Sequence, residues 1–293
     1  MRPSTIPGRL SLVAGALGLL IIAGGVALAA CGSSGTTASK LSLSISEQGK
    51  KASFQVPKST KGGLVDLSFQ NKGKAPHGVQ LIRYTGNHTA ADVGKQLDSN
   101  SSKTPAWLRA QGGTGTVPGG QSDRATLNLP AGNYVAFDSA AIGGSPGGPP
   151  ASADMKVSSG DTGDLPSTPA TVDAAKTGKD KYAWKISGLK SGENEITFKS
   201  GGSDAIHLIG AVPVKGKAPS LGQVKKDFSS NGPPPPYLDV QNAHFTAVLD
   251  GGSSQTLNLD LKPGKYIFFC PLTDRDGGKP HDQEGMLKYV TIK

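Results

Sequence analysis

The chain has 293 residues and a formal charge of +9, and 35% of it is hydrophobic. At ~150 residues per domain this length suggests about two domains. The 41 Gly and 21 Pro make up about a fifth of the chain and exclude a helical bundle, because both interrupt helix interiors. Two Cys cannot build a disulfide framework. Short strands joined by many turns suit this composition better.

Residues 1–30 read as an export signal. Arg2 and Arg9 supply a positive start, and Leu10 to Ala30 is apolar and uncharged. The segment ends Leu28-Ala29-Ala30-Cys31, which resembles a bacterial lipoprotein signal, whose Cys becomes a lipidated N-terminus. The competing reading is a transmembrane helix, since about 20 apolar residues can span a bilayer. Gly15, Gly18, Gly24, Gly25 and the boundary Cys argue against that reading. The small polar run Gly32 to Lys40 is expected to be a flexible tether, so that residues 31–40 connect lipid to fold. The expected location is therefore the extracytoplasmic face of the cell membrane, with the membrane as partner through lipid on Cys31. No basic cluster interleaved with aromatics speaks for a nucleic-acid partner.

Two stretches about 130 residues apart share one order of features. His77 in Pro76-His77-Gly-Val-Gln-Leu-Ile answers His207 in Ile206-His207-Leu-Ile-Gly-Ala-Val. A short amphipathic helix follows each (Thr89 to Leu97, Leu221 to Phe228), then a Pro-led aromatic segment. Thr126-Leu-Asn-Leu matches Thr256-Leu-Asn-Leu, and Tyr134-Val-Ala-Phe-Asp138 matches Tyr266-Ile-Phe-Phe-Cys270. Met155 pairs with Met286, and the offsets for His, Asp/Cys and Met are 130, 132 and 131. So little drift reads as a duplicated domain. In each copy about seven short strands with turns between them predict an all-β fold of two tandem β-sandwiches, at 41–158 and 170–293 with a linker at 159–169. His207 to Val212 is expected to be one apolar strand, and runs such as Tyr-Ile-Phe-Phe suit strands covered on both faces.

The second copy gathers His207, Cys270, His281 and Met286. A thiolate, two imidazoles and a weak thioether form the ligand set of blue-copper electron-transfer sites. Thiolate gives the strongly coupled Cu–S bond, imidazole holds both oxidation states, and thioether favours Cu(I). Taken singly, each residue reads as core, a buried Cys being usually an inert small hydrophobe. Their joint order, and an exported thiol with no partner, turn the reading toward copper.

The second copy resembles the cupredoxin family of plastocyanin and azurin. It has an early His, a Tyr-x-Phe-x-Cys-type strand (Tyr266 to Cys270), and His281-x4-Met286 before a final strand. The resemblance implies Greek-key sandwiches and one type 1 copper held by His207, Cys270, His281 and Met286. It implies one-electron transfer with a redox partner protein, and no small-molecule substrate. Two departures stand out. Ten residues separate Cys270 from His281, where small cupredoxins have two to four, and Leu208 stands where plastocyanins carry an Asn that ties the ligand loops together.

In the first copy His77 and Met155 persist, but Asp138 replaces the Cys and Pro150 falls opposite His281. That copy is expected to bind no copper, to serve as a structural or docking domain, and to keep His77 and Met155 as core relics. Multicopper oxidases and copper nitrite reductases need further His ligands. This chain has five His, no His-x-His, and Pro271 after the Cys, which argues against an enzyme. His88 and His244 read as solvated polar residues. Two other functions stay open: a copper-delivery module, against which three Met in the chain speak, and a metal-free envelope-binding protein.

Overall fold

A computed structural model describes residues 36–49, 51–99, 101–140, 151–230 and 232–293. The expectations placed on residues 1–35, including lipidation of Cys31, and on Pro150 lie outside these residues. Residues 35–293 form one compact unit.

The N-terminal half contributes β1 (Ser39–Gln48), β2 (Lys51–Gln55), β3 (Ser59–Lys61), β4 (Gly63–Asn71), β5 (Val79–Tyr84), helix α1 (Ala90–Asp98), β6 (Leu108–Gly113), β7 (Ser122–Leu129), β8 (Gly132–Asp138) and β9 (Ser152–Ser158). The C-terminal half contributes β10 (Ala170–Gly178), β11 (Lys181–Ser187), β12 (Gly192–Ser200), β13 (Ile206–His207), β14 (Gly210–Pro213), helix α2 (Leu221–Phe228), β15 (His244–Phe245), β16 (Leu249–Asp250), β17 (Ser254–Leu261), β18 (Gly264–Phe269) and β19 (Leu287–Ile292). The all-β expectation is met, with two short helices where the amphipathic stretches predicted them. Thr89 and Ser220 cap these helices, and Thr89 forms a reciprocal capping box with Asp92.

One sheet runs through both halves, in the order β11-β10-β12-β17-β7-β4-β1-β2. Its inner face follows period two: Leu41, Leu43 and Ile45, then Val65, Leu67 and Phe69, then Ile196 and Phe198 are buried on alternate positions. In this sheet the two halves meet where β7 and β17 pair antiparallel, with Thr126 opposite Thr256, Ala125 opposite Leu257 and Leu127 opposite Gln255; a second sheet joins them through β16 and β6. The leading threonines of the two matching Thr-Leu-Asn-Leu segments thus face each other, with the segments running in opposite directions from that pair.

β8 and β18 show why their sequences are apolar on both faces. Tyr134 and Ala136 point into the core shared with β1, β4 and β7, while Val135 and Phe137 pack with Val93 of α1. Tyr266 and Phe268 enter the same large core, while Ile267 and Phe269 pack with Val224 of α2. Each strand is sandwiched between a sheet and a helix, which buries both faces. The phenols are anchored four residues upstream: Tyr134 donates to the Pro130 carbonyl at 2.7 Å, and Tyr266 accepts the Lys262 N–H at 3.0 Å.

One expected strand is broken. His207 to Val212 divides into β13, which pairs with β16, and β14, which pairs with β18 in a separate four-stranded sheet, β15-β14-β18-β19. The intervening N–H groups leave the ladder. Leu208 gives its N–H to the Cys270 sulfur, and Ile209 donates to Thr246 Oγ1 at 3.0 Å.

Candidate metal centre

His207, Cys270 and His281 come together fully buried, and one ligand atom from each lies within 4.8 Å of the other two. β13 delivers His207, Cys270 follows the last residue of β18, and the turn before β19 delivers His281. That turn is tied back on itself: His281 N–H donates to the Leu272 carbonyl at 2.8 Å, Asp282 N–H to the Cys270 carbonyl at 2.9 Å, and Met286 N–H to the His281 carbonyl at 2.8 Å. Met286 is fully buried in the core that also contains Cys270, and its carbonyl accepts the Cys270 N–H at 3.3 Å.

The imidazoles are oriented from outside. His207 Nε2 lies 3.1 Å from the Gly201 carbonyl, so it carries the proton and Nδ1 keeps a lone pair. That Nδ1 is buried without a partner. His281 Nε2 lies 3.1 Å from Asp274 Oδ1, and its Nδ1 faces the Cys270 sulfur at 3.6 Å. Two lone pairs and a sulfur therefore converge in a space closed to water. An unpaired buried acceptor is costly in a dry site, and a cation bound by all three atoms relieves that cost. The donor set fits copper, and a carboxylate or carbonyl on the far nitrogen of each ligating His is the usual means of fixing its tautomer.

Burial sets the electrostatics. It pushes the Cys270 thiol up to about 12, opposed by the Leu208 and Leu272 N–H groups that donate to sulfur. Burial, reinforced by His281, pushes His207 down to about 3. His281 is also lowered by burial, opposed by its bond to Asp274. Without metal the cluster is thus a neutral thiol and two neutral imidazoles near pH 7. Between pH ~6.5 and about 3 the unfolded chain binds the protons that folded His207 refuses, so stability falls with falling pH by ~1.4 kcal/mol per unit for this histidine. Denaturant midpoints of the metal-free protein should therefore drop from pH 6.5 to 4.5 and stay flat in this contribution above pH 7; a His207→Phe variant should lose most of that slope.

Sequence reasoning missed two contributors. Asp274 sits inside the ten-residue loop, and besides His281 it accepts the hydroxyl of Tyr182. The Tyr182 ring packs on both imidazoles, with centroids 5.2 Å from His207 and 4.4 Å from His281. The ten-residue loop thus supplies the carboxylate that orients its own histidine.

The matching place in the N-terminal half is built from the same frame with other chemistry. Asp138 Oδ1 accepts the N–H groups of Gly78 and Ala140, each at 3.2 Å. These are the positions matching Leu208 and Leu272, so one pair of amides faces a carboxylate in one half and a sulfur in the other. His77 Nδ1 lies 2.7 Å from Asp138 Oδ2 and its Nε2 lies 2.9 Å from Glu47 Oε1. Both ring nitrogens face carboxylate oxygens, so neither is turned toward a metal. Glu47 had no signal in the sequence, because its link to His77 is made across the sheets. Met155 is buried in the core.

His88 and His244 are not simply solvated. His88 stacks on Trp107 at 4.0 Å between ring centroids, and His244 lies half-buried in β15 with its pKa lowered by burial.

No family model matches the chain, and no curated protein matches it. Among solved structures it is similar to a multicopper oxidase, at 15% identity over 87% of this chain and 88% of that one, with a TM-score of 0.24. It is similar to the auracyanin of Roseiflexus castenholzii, at 21% identity over 39% of this chain and 94% of that one, with a TM-score of 0.26. A copper-containing nitrite reductase of Thermus scotoductus aligns at 12% identity over 87% of this chain and 61% of that one, with a TM-score of 0.24. Scores this low leave the reading of the site to its own geometry.

Proposed function

We propose that the protein is a membrane-anchored, extracytoplasmic electron carrier built on a duplicated cupredoxin-like sandwich, with one type 1 copper in its C-terminal half. The observation that carries this reading is the convergence of the free His207 Nδ1, the His281 Nδ1 and the Cys270 sulfur in a fully buried pocket. His207 and His281 would supply the imidazole ligands, Cys270 the thiolate and Met286 a weak thioether. Copper bound there would supply a one-electron Cu(II)/Cu(I) couple at a strongly coupled thiolate.

The chain's own groups explain why such a couple would run with little rearrangement. Leu208 and Leu272 give N–H groups to the sulfur and stabilise it as thiolate. Gly201 and Asp274 hold the two rings from behind. Tyr182 packs across both rings and helps close the pocket to water. Burial of both imidazoles favours a retained metal over one handed to a client, and so favours an electron carrier over a delivery module. No His-x-His pair supplies ligands for further coppers, so we assign no oxidase or reductase activity. Lipid on Cys31 would hold the protein at the membrane beside its redox partner protein.

The carboxylate behind His281 gives a graded test. Asp274→Asn should leave copper bound but weaken it by about 10–100-fold, since the orienting partner of the ligand is lost. Competition against a chelator of known affinity reads this directly. An affinity equal to that of the unaltered protein would remove Asp274 from the site.

A further inference from the structure

The loop between Cys270 and His281 is not held by the C-terminal half alone. Arg275, at its middle, is buried, and its guanidinium lies 2.8 Å from Asp250 Oδ1. Its other terminal nitrogen donates to the carbonyls of Pro105, at 2.7 Å, and Leu108. The Arg275 carbonyl accepts the Thr104 N–H at 2.8 Å, and Thr273 Oγ1 donates to the Ser102 carbonyl at 3.0 Å. Asp250 is fixed from the same side, by the Ala110 N–H at 3.2 Å and Arg109 at 3.4 Å. The residue before it, Leu249, pairs with His207 on one side and with Gln111 of β6 on the other.

One buried ion pair therefore joins the loop bearing Cys270 and His281 to the strand beside His207, and fastens both to residues 102–111 of the half without a thiolate. Burial pushes Asp250 up and Arg275 down in spite of their contact, so desolvation outweighs their attraction. A pair of this kind is weak as a source of stability, and its geometric constraint remains to be explained.

We infer that the N-terminal half is the clamp of the metal centre, and that Arg275 is the positioning residue through which it fixes Cys270 and His281 against His207. The inference rests on the copper reading above. It also gives the N-terminal half a task that needs no metal of its own. The tie between ligand loops that an Asn after the first His would have made is taken over from outside, by a planar fork reaching one carboxylate and two carbonyls.

The test compares the unaltered protein with Arg275→Met and Arg275→Lys. Its first reading needs no copper: the rate at which a thiol reagent labels Cys270 in the metal-free protein, with the labelled site identified by mass spectrometry. Cys270 is fully buried, and unclamping the loop should speed its labelling by roughly tenfold or more in Arg275→Met, through local opening below the global unfolding energy. The second reading is the copper spectrum and affinity, expected to shift with a loss of about 10–100-fold, as for other groups that position ligands. Arg275→Lys keeps the charge but not the fork, and should fail to restore either reading; it also serves if Arg275→Met does not fold. Labelling and copper properties unchanged in a folded variant would overturn the clamp. Accelerated labelling in a protein that never shows a thiolate–copper band would keep the clamp and sink the copper reading instead.

Discussion

Replacing Cys270 by Ser should abolish the intense thiolate-to-copper band expected near ~600 nm and leave, at most, a pale protein with copper on two imidazoles. The substitution nearly conserves volume, so the fold should survive: the side chain lies at the end of β18 in a closed pocket, with two backbone N–H groups aimed at its outer atom. A hydroxyl can accept those N–H groups as readily as a thiol. What it cannot do at neutral pH is become an anion with a soft, polarisable donor orbital. Colour and stability should therefore separate, with circular dichroism and thermal midpoint near those of the parent and the band gone. A surviving band would show that the sulfur of Cys270 is not its source.

The opposite separation is expected at the matching position of the N-terminal half. Asp138→Ala should destabilise the protein by ~3–5 kcal/mol while leaving copper stoichiometry unchanged. The carboxylate answers three donors: the buried His77 Nδ1 and Gly78 amide, and the half-buried Ala140 amide. Removing it strands the two buried donors, each of which costs about 1–3 kcal/mol when left unpaired. His77 would keep only Glu47, at its other nitrogen. Urea denaturation of the metal-free variant measures the loss. A change within ~0.5 kcal/mol would mean that water or a local shift rescues the donors, and that the carboxylate is not what holds this place together. A fall in bound copper with stability intact would place Asp138 at a metal, against the geometry of His77.

Much of the fold was legible because it rests on period and repetition. Tyr-Ile-Phe-Phe announced a strand covered on both faces, and the turn-rich composition announced short strands. The repeat did not indicate how the halves meet; that Thr126 and Thr256 face each other across β7 and β17 comes from the structure. His207, Cys270 and His281 could be singled out because their residue types carry chemistry at recognisable places in the repeat. The groups around them could not. Asp274 and Tyr182 are 92 residues apart, and Arg109 and Asp250 are 141 apart. Charged and phenolic side chains are common on any surface, so nothing in the sequence marks these as inward-facing. The break between β13 and β14 was hidden for a related reason. Ile206 to Val212 has the composition of a strand, and only the acceptors at Cys270 and Thr246 pull its middle N–H groups out of the sheet.

The most direct measurement is an optical titration of the unaltered protein with Cu(II). An intense band near ~600 nm should grow linearly and stop at one equivalent of copper per chain, the signature of a single site with one thiolate and two imidazoles. Copper that binds without an intense visible band, or a band that keeps growing to two equivalents, would contradict it.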